Sequence, residues 1–145
     1  MTLTMEPEVQ TTEQQETFPV PTLPETRLSP ETVELLIRVR DHILEHPLHI
    51  SMNVWLVNNH CCGTVGCIAG WMTMLSGIVC RSEFDIHSEA ERLLGSCGLG
   101  NSLFFMTYWP PEFASRLRCL AQCTPEYARV VADRIDRFIE TDGAV

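Results

Sequence analysis

The sequence predicts an all-α fold, a compact bundle of five or six short helices around one buried central helix, behind an N-terminal leader. Three observations predict it. Apolar residues recur at helical spacing in several segments, two of which open alike, with Ser29-Pro30-Glu31 and Thr124-Pro125-Glu126. No segment sustains the period-two alternation of β-branched residues that marks a strand. The run from Cys67 to Val79 is apolar or small on every side apart from Thr73 and Ser76, as in a helix buried all round.

Residues 1–28 are rich in Thr, Glu, Gln and Pro, and five of the nine prolines fall in the first thirty residues. Such a stretch buries too little apolar surface to offset its ordering entropy, so it reads as a disordered acidic leader. A single helical domain is expected over residues 29–142. Its first helix starts with Ser29 as N-cap and Pro30 at the first helical position, and carries Val33, Leu36, Ile37, Arg40, Ile43 and Leu44 on one face. Pro47 ends it. From Leu48 to Val57 the pattern fits either a short helix or an extended segment, with Met52 and Trp55 expected in the core. Asn58-Asn59-His60 reads as a polar turn.

The central helix follows. Thr64 reads as its N-cap, accepting from the Cys67 amide, with Gly63 giving freedom to turn. Gly66, Gly70, Thr73 and Gly77 form small-residue rows that let another backbone approach. Arg81 to His87 reads as a connector, and Ser88-Glu89-Ala90-Glu91 as a capping box for a short helix that Gly95 stops. Leu99 to Tyr108 is apolar. Trp109-Pro110-Pro111 breaks it and starts a helix with Phe113, Leu117 and Leu120. The last helix carries Tyr127, Val130, Val131, the Arg134 stem, Ile135, Phe138 and Ile139 on one face, and Asp142-Gly143 closes it.

Composition narrows the function. The formal charge is −9, the isoelectric point is near 4.9, and the ten basic residues are all Arg and scattered. Phosphate-backbone binding needs clustered cations, so no nucleic-acid partner is expected. No basic region precedes an apolar run at the N-terminus, so neither an export signal nor a membrane contact is expected. Seven cysteines, an odd number, fit thiols kept reduced in a cytoplasm.

One order of motifs carries a resemblance. It runs Asn53-x-Trp55, Cys62-Gly63-Thr64-x-x-Cys67-Ile68-Ala69-Gly70-Trp71, Ala90-x-x-Leu93-Leu94-Gly95, Leu103-Phe104 and Trp109-Pro110. Over roughly residues 36 to 140 the chain resembles a group of small uncharacterised bacterial and phage proteins that carry the Cys-Gly-Thr-x-x-Cys-Ile-Ala-Gly-Trp signature. The resemblance implies a domain in an intracellular setting, and it carries no catalytic residue with it.

The signature stretch also holds the candidate chemistry. Cys67 or Cys62 is the candidate nucleophile, since a thiolate is favoured at a helix N-terminus, with His60 or His87 as the base. His60, Cys62 and Cys67, with Cys61 beside them, are candidate zinc ligands, and Cys119 with Cys123 would supply a second pair. On its helix Cys119 is expected to face the core. Cys62 and Cys67 bracket a turn that a reversible disulfide would close. The opposing reading makes Cys67 a small buried hydrophobe. His42 and His46 stand four apart near a helix C-terminus, with His49 just beyond; the helix dipole accounts for them, and the spacing is also that of a two-His metal site. No Gly-rich phosphate loop follows a strand, and Trp71, Phe104, Phe105, Trp109 and Phe113 read as core.

The expectation favoured by these features is a small cytoplasmic binding or regulatory module acting through protein–protein interaction, of phage or mobile-element descent, without a cofactor. The alternatives are a thiol-dependent hydrolase or transferase, and a small zinc-stabilised domain.

Overall fold

Ser29 and Thr124 start the two longest helices by the same chemistry. Ser29 Oγ accepts from the Thr32 amide at 3.1 Å, and Thr124 Oγ1 accepts from the Tyr127 amide at 3.2 Å; each is followed by proline. The helices are α1 (Pro30–Glu45) and α6 (Pro125–Glu140). They pack on each other, and Arg40 reaches across from α1 to Asp136 on α6 at 2.8 Å. The computed structural model describes residues 28–59, 63–95 and 100–145. The leader expected over 1–28 therefore lies outside the described residues except for Leu28. That residue belongs to the core, and its amide donates to Asp142 Oδ1 at 3.0 Å.

A 3₁₀ turn (Pro47–His49) follows α1, and the chain then passes through a turn at Met52 and Asn53 into β1 (Leu56–Asn59), which pairs antiparallel with β2 (Gly63–Gly66). The register sets Leu56 against Gly66 and Val57 against Val65. After β2 come α2 (Ile68–Leu75), α3 (Glu83–Leu94), α4 (Asn101–Phe104), a 3₁₀ turn (Met106–Tyr108) and α5 (Pro111–Arg118) before α6. Among the described residues the fold is all-α with one small hairpin. At its centre is α2, where every residue from Ile68 to Thr73 is buried, packed on by α1, α3, α4 and β2.

The hairpin corrects the expectation that strands are absent, and it displaces the expected cap. Thr64 lies in β2, so it does not start the helix. Cys67 takes the N-cap position instead, in extended conformation at φ −85°, and its side chain makes no capping bond. Central-helix length is corrected too. Ser76 and Gly77 stop α2, with Gly77 at φ +75°, Gly77 N–H bonded to Met74 O and Ile78 N–H to Thr73 O. That paired closure is the Schellman motif, for which a left-handed glycine is suited. Val79, expected inside the buried helix, is therefore in the following loop.

Two further elements differ from expectation. The buried stripe of α1 is Thr32, Leu35, Leu36, Val39 and Ile43, rotated from the expected face, and Arg40 lies at its edge. Helix α3 begins at Ser82, whose Oγ accepts from the Asp85 amide at 3.1 Å, so Ser88 sits inside the helix. The earlier start puts Ile86, Ala90 and Leu94 on one buried face at four-residue spacing. Gly95 closes α3 at φ +86° as expected. Among the described residues no helix is long and apolar enough to cross a membrane.

Candidate functional site

Of the sequence candidates, Cys67 stands at the start of α2. The chain before β1 passes close over this helix, and the Trp55 carbonyl oxygen points at its first turn. That oxygen accepts from the Cys67 amide at 3.2 Å, and Cys67 Sγ lies 3.7 Å from it. A Cβ built on Gly66 would stand 2.8 Å from the same oxygen, and one on Gly70 would stand closer still. Glycine is required at both positions because the neighbour is backbone, which has little room to give. Of the small-residue rows read in the sequence, Gly66 and Gly70 are thus the seat of one carbonyl. That seat also partners a polar group which would otherwise be buried without one.

Cys67 has the opposite of an activated environment. It is 3 % exposed, and burial pushes its thiol up to about 11, despite nearby backbone amides that act the other way. A nucleophilic cysteine needs an accessible thiolate with a pKa near or below neutrality. Here the protonated form is held, so Cys67 is a small packed side chain with a weak S–H donor.

His87 is on α3 and not in a connector as expected. Its ring meets Trp55 edge-on at 5.7 Å between centroids and lies 5.5 Å from Phe105. Its Nε2 is buried, makes no hydrogen bond, and stands 3.5 Å from Glu91 Oε2. Glu91 is held in turn by the Gly100 amide, which donates to Oε1 at 3.3 Å. Trp55 thus touches both Cys67, through its carbonyl, and His87, through its ring. A cavity of about 120 Å³ beside them is lined by Met52, Asn53, Val54, Trp55, Cys67, Phe104 and Phe105. Apart from the thiol and Asn53 the lining side chains are apolar, so the cavity offers packing space and no acid or base. The other sequence candidates, His60, Cys61 and Cys62, lie outside the described residues. Cys119 caps the C-terminus of α5 and is exposed, which corrects its expected core position.

The histidines at the end of α1 do come together. His42 Nε2 and His49 Nδ1 are 3.2 Å apart, and the His46 ring lies 4.9 Å from His42 and 5.1 Å from His49. Trp71 backs the group: its ring is 4.2 Å from His42, and its Nε1–H donates to the His49 carbonyl at 2.8 Å. Desolvation lowers the His42 pKa from its ordinary value, the neighbouring His46 and His49 lower it further, and Glu45 opposes them.

Sequence reasoning missed two features. Arg134 is wholly buried, head included, donating to Ser102 O at 2.6 Å and Val145 O at 2.8 Å. An apolar corner between α2 and α3 is left in solvent: Val79 is 90 % exposed, Phe84 76 % and Met74 41 %. The signal for the second was in the sequence, since Ser76-Gly77 is a helix stop that releases Val79 from the core.

Compared with protein families, with curated proteins and with solved structures, the chain matches none.

Proposed function

We propose that this protein is a small binding module that works through protein–protein contact, with the α2–α3 corner as its contact surface. One observation carries the reading: Phe84 and Val79 stand almost fully in water, while the other phenylalanines of the domain are packed. An exposed aromatic beside exposed aliphatics loses solvation favourably when a partner covers it, and such side chains anchor interfaces. Exposed Glu83 and half-buried Asp85 flank Phe84, and the chain carries a formal charge of −9. The fitting partner is a protein surface with an apolar pocket and a basic rim.

Kinship with the bacterial and phage signature group, and work in the cytoplasm, belong to the same proposal. Cys67 and Gly70, two of the residues that carry the resemblance, seat the Trp55 carbonyl on α2. That role is in packing and requires no reaction.

The test is a photo-crosslinking phenylalanine analogue placed at Phe84 of the full chain, in cells that carry the gene natively, against the same analogue at exposed Arg129. A discrete protein adduct seen only from position 84 is the expected result. Equal adducts from both positions, or none, would overturn the reading, and an adduct of twice the chain mass would replace the partner by a second copy.

A further inference from the structure

Three imidazoles gather where α1 ends, with Trp71 of α2 packed behind them, and the apolar corner does not use them. We propose that His42, His46 and His49 bind one divalent transition-metal ion of the zinc and nickel class. Two nitrogens bound to one tetrahedral zinc at about 2.0–2.1 Å are separated by roughly 3.3 Å. His42 Nε2 and His49 Nδ1 stand 3.2 Å apart in a hydrogen bond, so an ion that displaces the shared proton finds this edge at nearly the right length.

His46 supplies the third corner. As folded, its Nε2 lies 3.6 Å from Glu45 Oε1, and among the described residues no three His, Cys, Asp or Glu side chains are converged as a ready metal site. The His46 side chain is 47 % exposed and its ring is already about 5 Å from both partners, so the assignment requires of it a turn about its own side-chain bonds. His42 and His49 move less. Trp71 packs on the His42 ring and holds the His49 carbonyl, fixing the pair before a ligand arrives. Such restraint on the ligands is what raises metal affinity.

Electrostatics favour the same occupant. The site caps the C-terminus of α1, where unpaired carbonyls present negative charge. Glu45 adds a carboxylate next to His46, and a carboxylate or water completes four-coordination. Asp41 is engaged by Arg40 at 2.9 Å and leaves the field of the site largely to Glu45. Helix-dipole stabilisation of a lone His explains one histidine at this end, but not three in mutual contact with a tryptophan behind them.

The experiment titrates chelator-treated full chain with zinc chloride and follows imidazole nitrogen shifts by NMR. His46→Ala is the decisive variant because the half-exposed ring carries no packing that folding needs. Zinc is expected to shift the resonances of His42, His46 and His49 together, and His46→Ala to weaken binding by roughly tenfold or more with the helical signal unchanged. A His60→Ala variant checks the cysteine stretch and is expected to bind as the parent does. Binding that survives His46→Ala, or is lost in His60→Ala, would overturn the assignment. So would the absence of any shift up to millimolar zinc.

Discussion

The Trp55 carbonyl oxygen accepts from the Cys67 amide at 3.2 Å, while Gly70, one turn along α2, leaves the space that oxygen occupies. The cysteine and the glycines of the signature thus serve one contact between the pre-hairpin chain and the central helix.

Gly70→Ala tests that contact. Its Cβ would meet backbone, not a flexible side chain, so the chain before β1 must lift from α2. A loss of about 3 kcal/mol is expected in urea unfolding. Gly77→Ala is the comparison. A Cβ there meets nothing within 4 Å, and only its left-handed φ of +75° is strained, for a loss of about 1–2 kcal/mol.

Cys67 gives the fold an alkaline limit. Its folded pKa is raised from 9.0 to about 11, so the folded state holds the proton longer than the unfolded chain does. The resulting stability is fully present below pH 9.0 and is lost as pH rises towards about 11. Cys67→Ala is expected to flatten the decline in unfolding free energy across that window. An equally steep decline in the variant would remove Cys67 as its source.

His42 gives an acid limit with the opposite sign. Its folded pKa is lowered from 6.5, so the unfolded chain binds the proton first. The stability is present above pH 6.5 and is lost as pH falls through the folded value. In metal-free protein, melting temperatures measured from pH 7.5 to 5 should fall less steeply for His42→Gln than for the parent.

Arg134 is the polar pin of the core. It ties α6 to Ser102 and Val145, and its guanidinium lies 5.8 Å from the Trp109 ring centroid and 5.9 Å from those of Phe113 and Phe138. Desolvation, with the nearby Arg137 charge adding to it, lowers its pKa to about 10, and the guanidinium stays charged at neutral pH. Arg134→Ala removes the donor to Ser102 O and Val145 O and leaves a cavity where a fully buried side chain stood, so a loss of roughly 3–5 kcal/mol is expected by thermal unfolding. Arg134→Lys should recover part of it, since one ammonium can still reach a carbonyl.

Helix starts were legible where the chemistry is local. Ser29-Pro30 and Thr124-Pro125 need only their own neighbours to cap, and both do so. The start of α3 was misplaced at Ser88, although Ser82 too has an acidic residue three positions on. Packing of Ile86, Ala90 and Leu94 selected Ser82, which no local rule reads. The hairpin was hidden for a related reason. Its strands are four residues each, too short to display alternation, and what holds them is pairing between segments together with the seat on α2. At the candidate site the four-residue spacing of His42 and His46 was visible, whereas the approach of His49 depends on the Pro47 turn. The burial of Cys67 was one of four open readings, beside nucleophile, zinc ligand and disulfide partner, and it depends on tertiary contact with Trp55.

The most direct measurement is the alkylation rate of each cysteine in the native full chain at pH 7.5, resolved by peptide mass spectrometry. Cys67 should react only as fast as the domain opens, while exposed Cys119 reacts like a free thiol. A Cys67 that outpaces Cys119 under native conditions would contradict the packing role of the signature and restore it as a nucleophile.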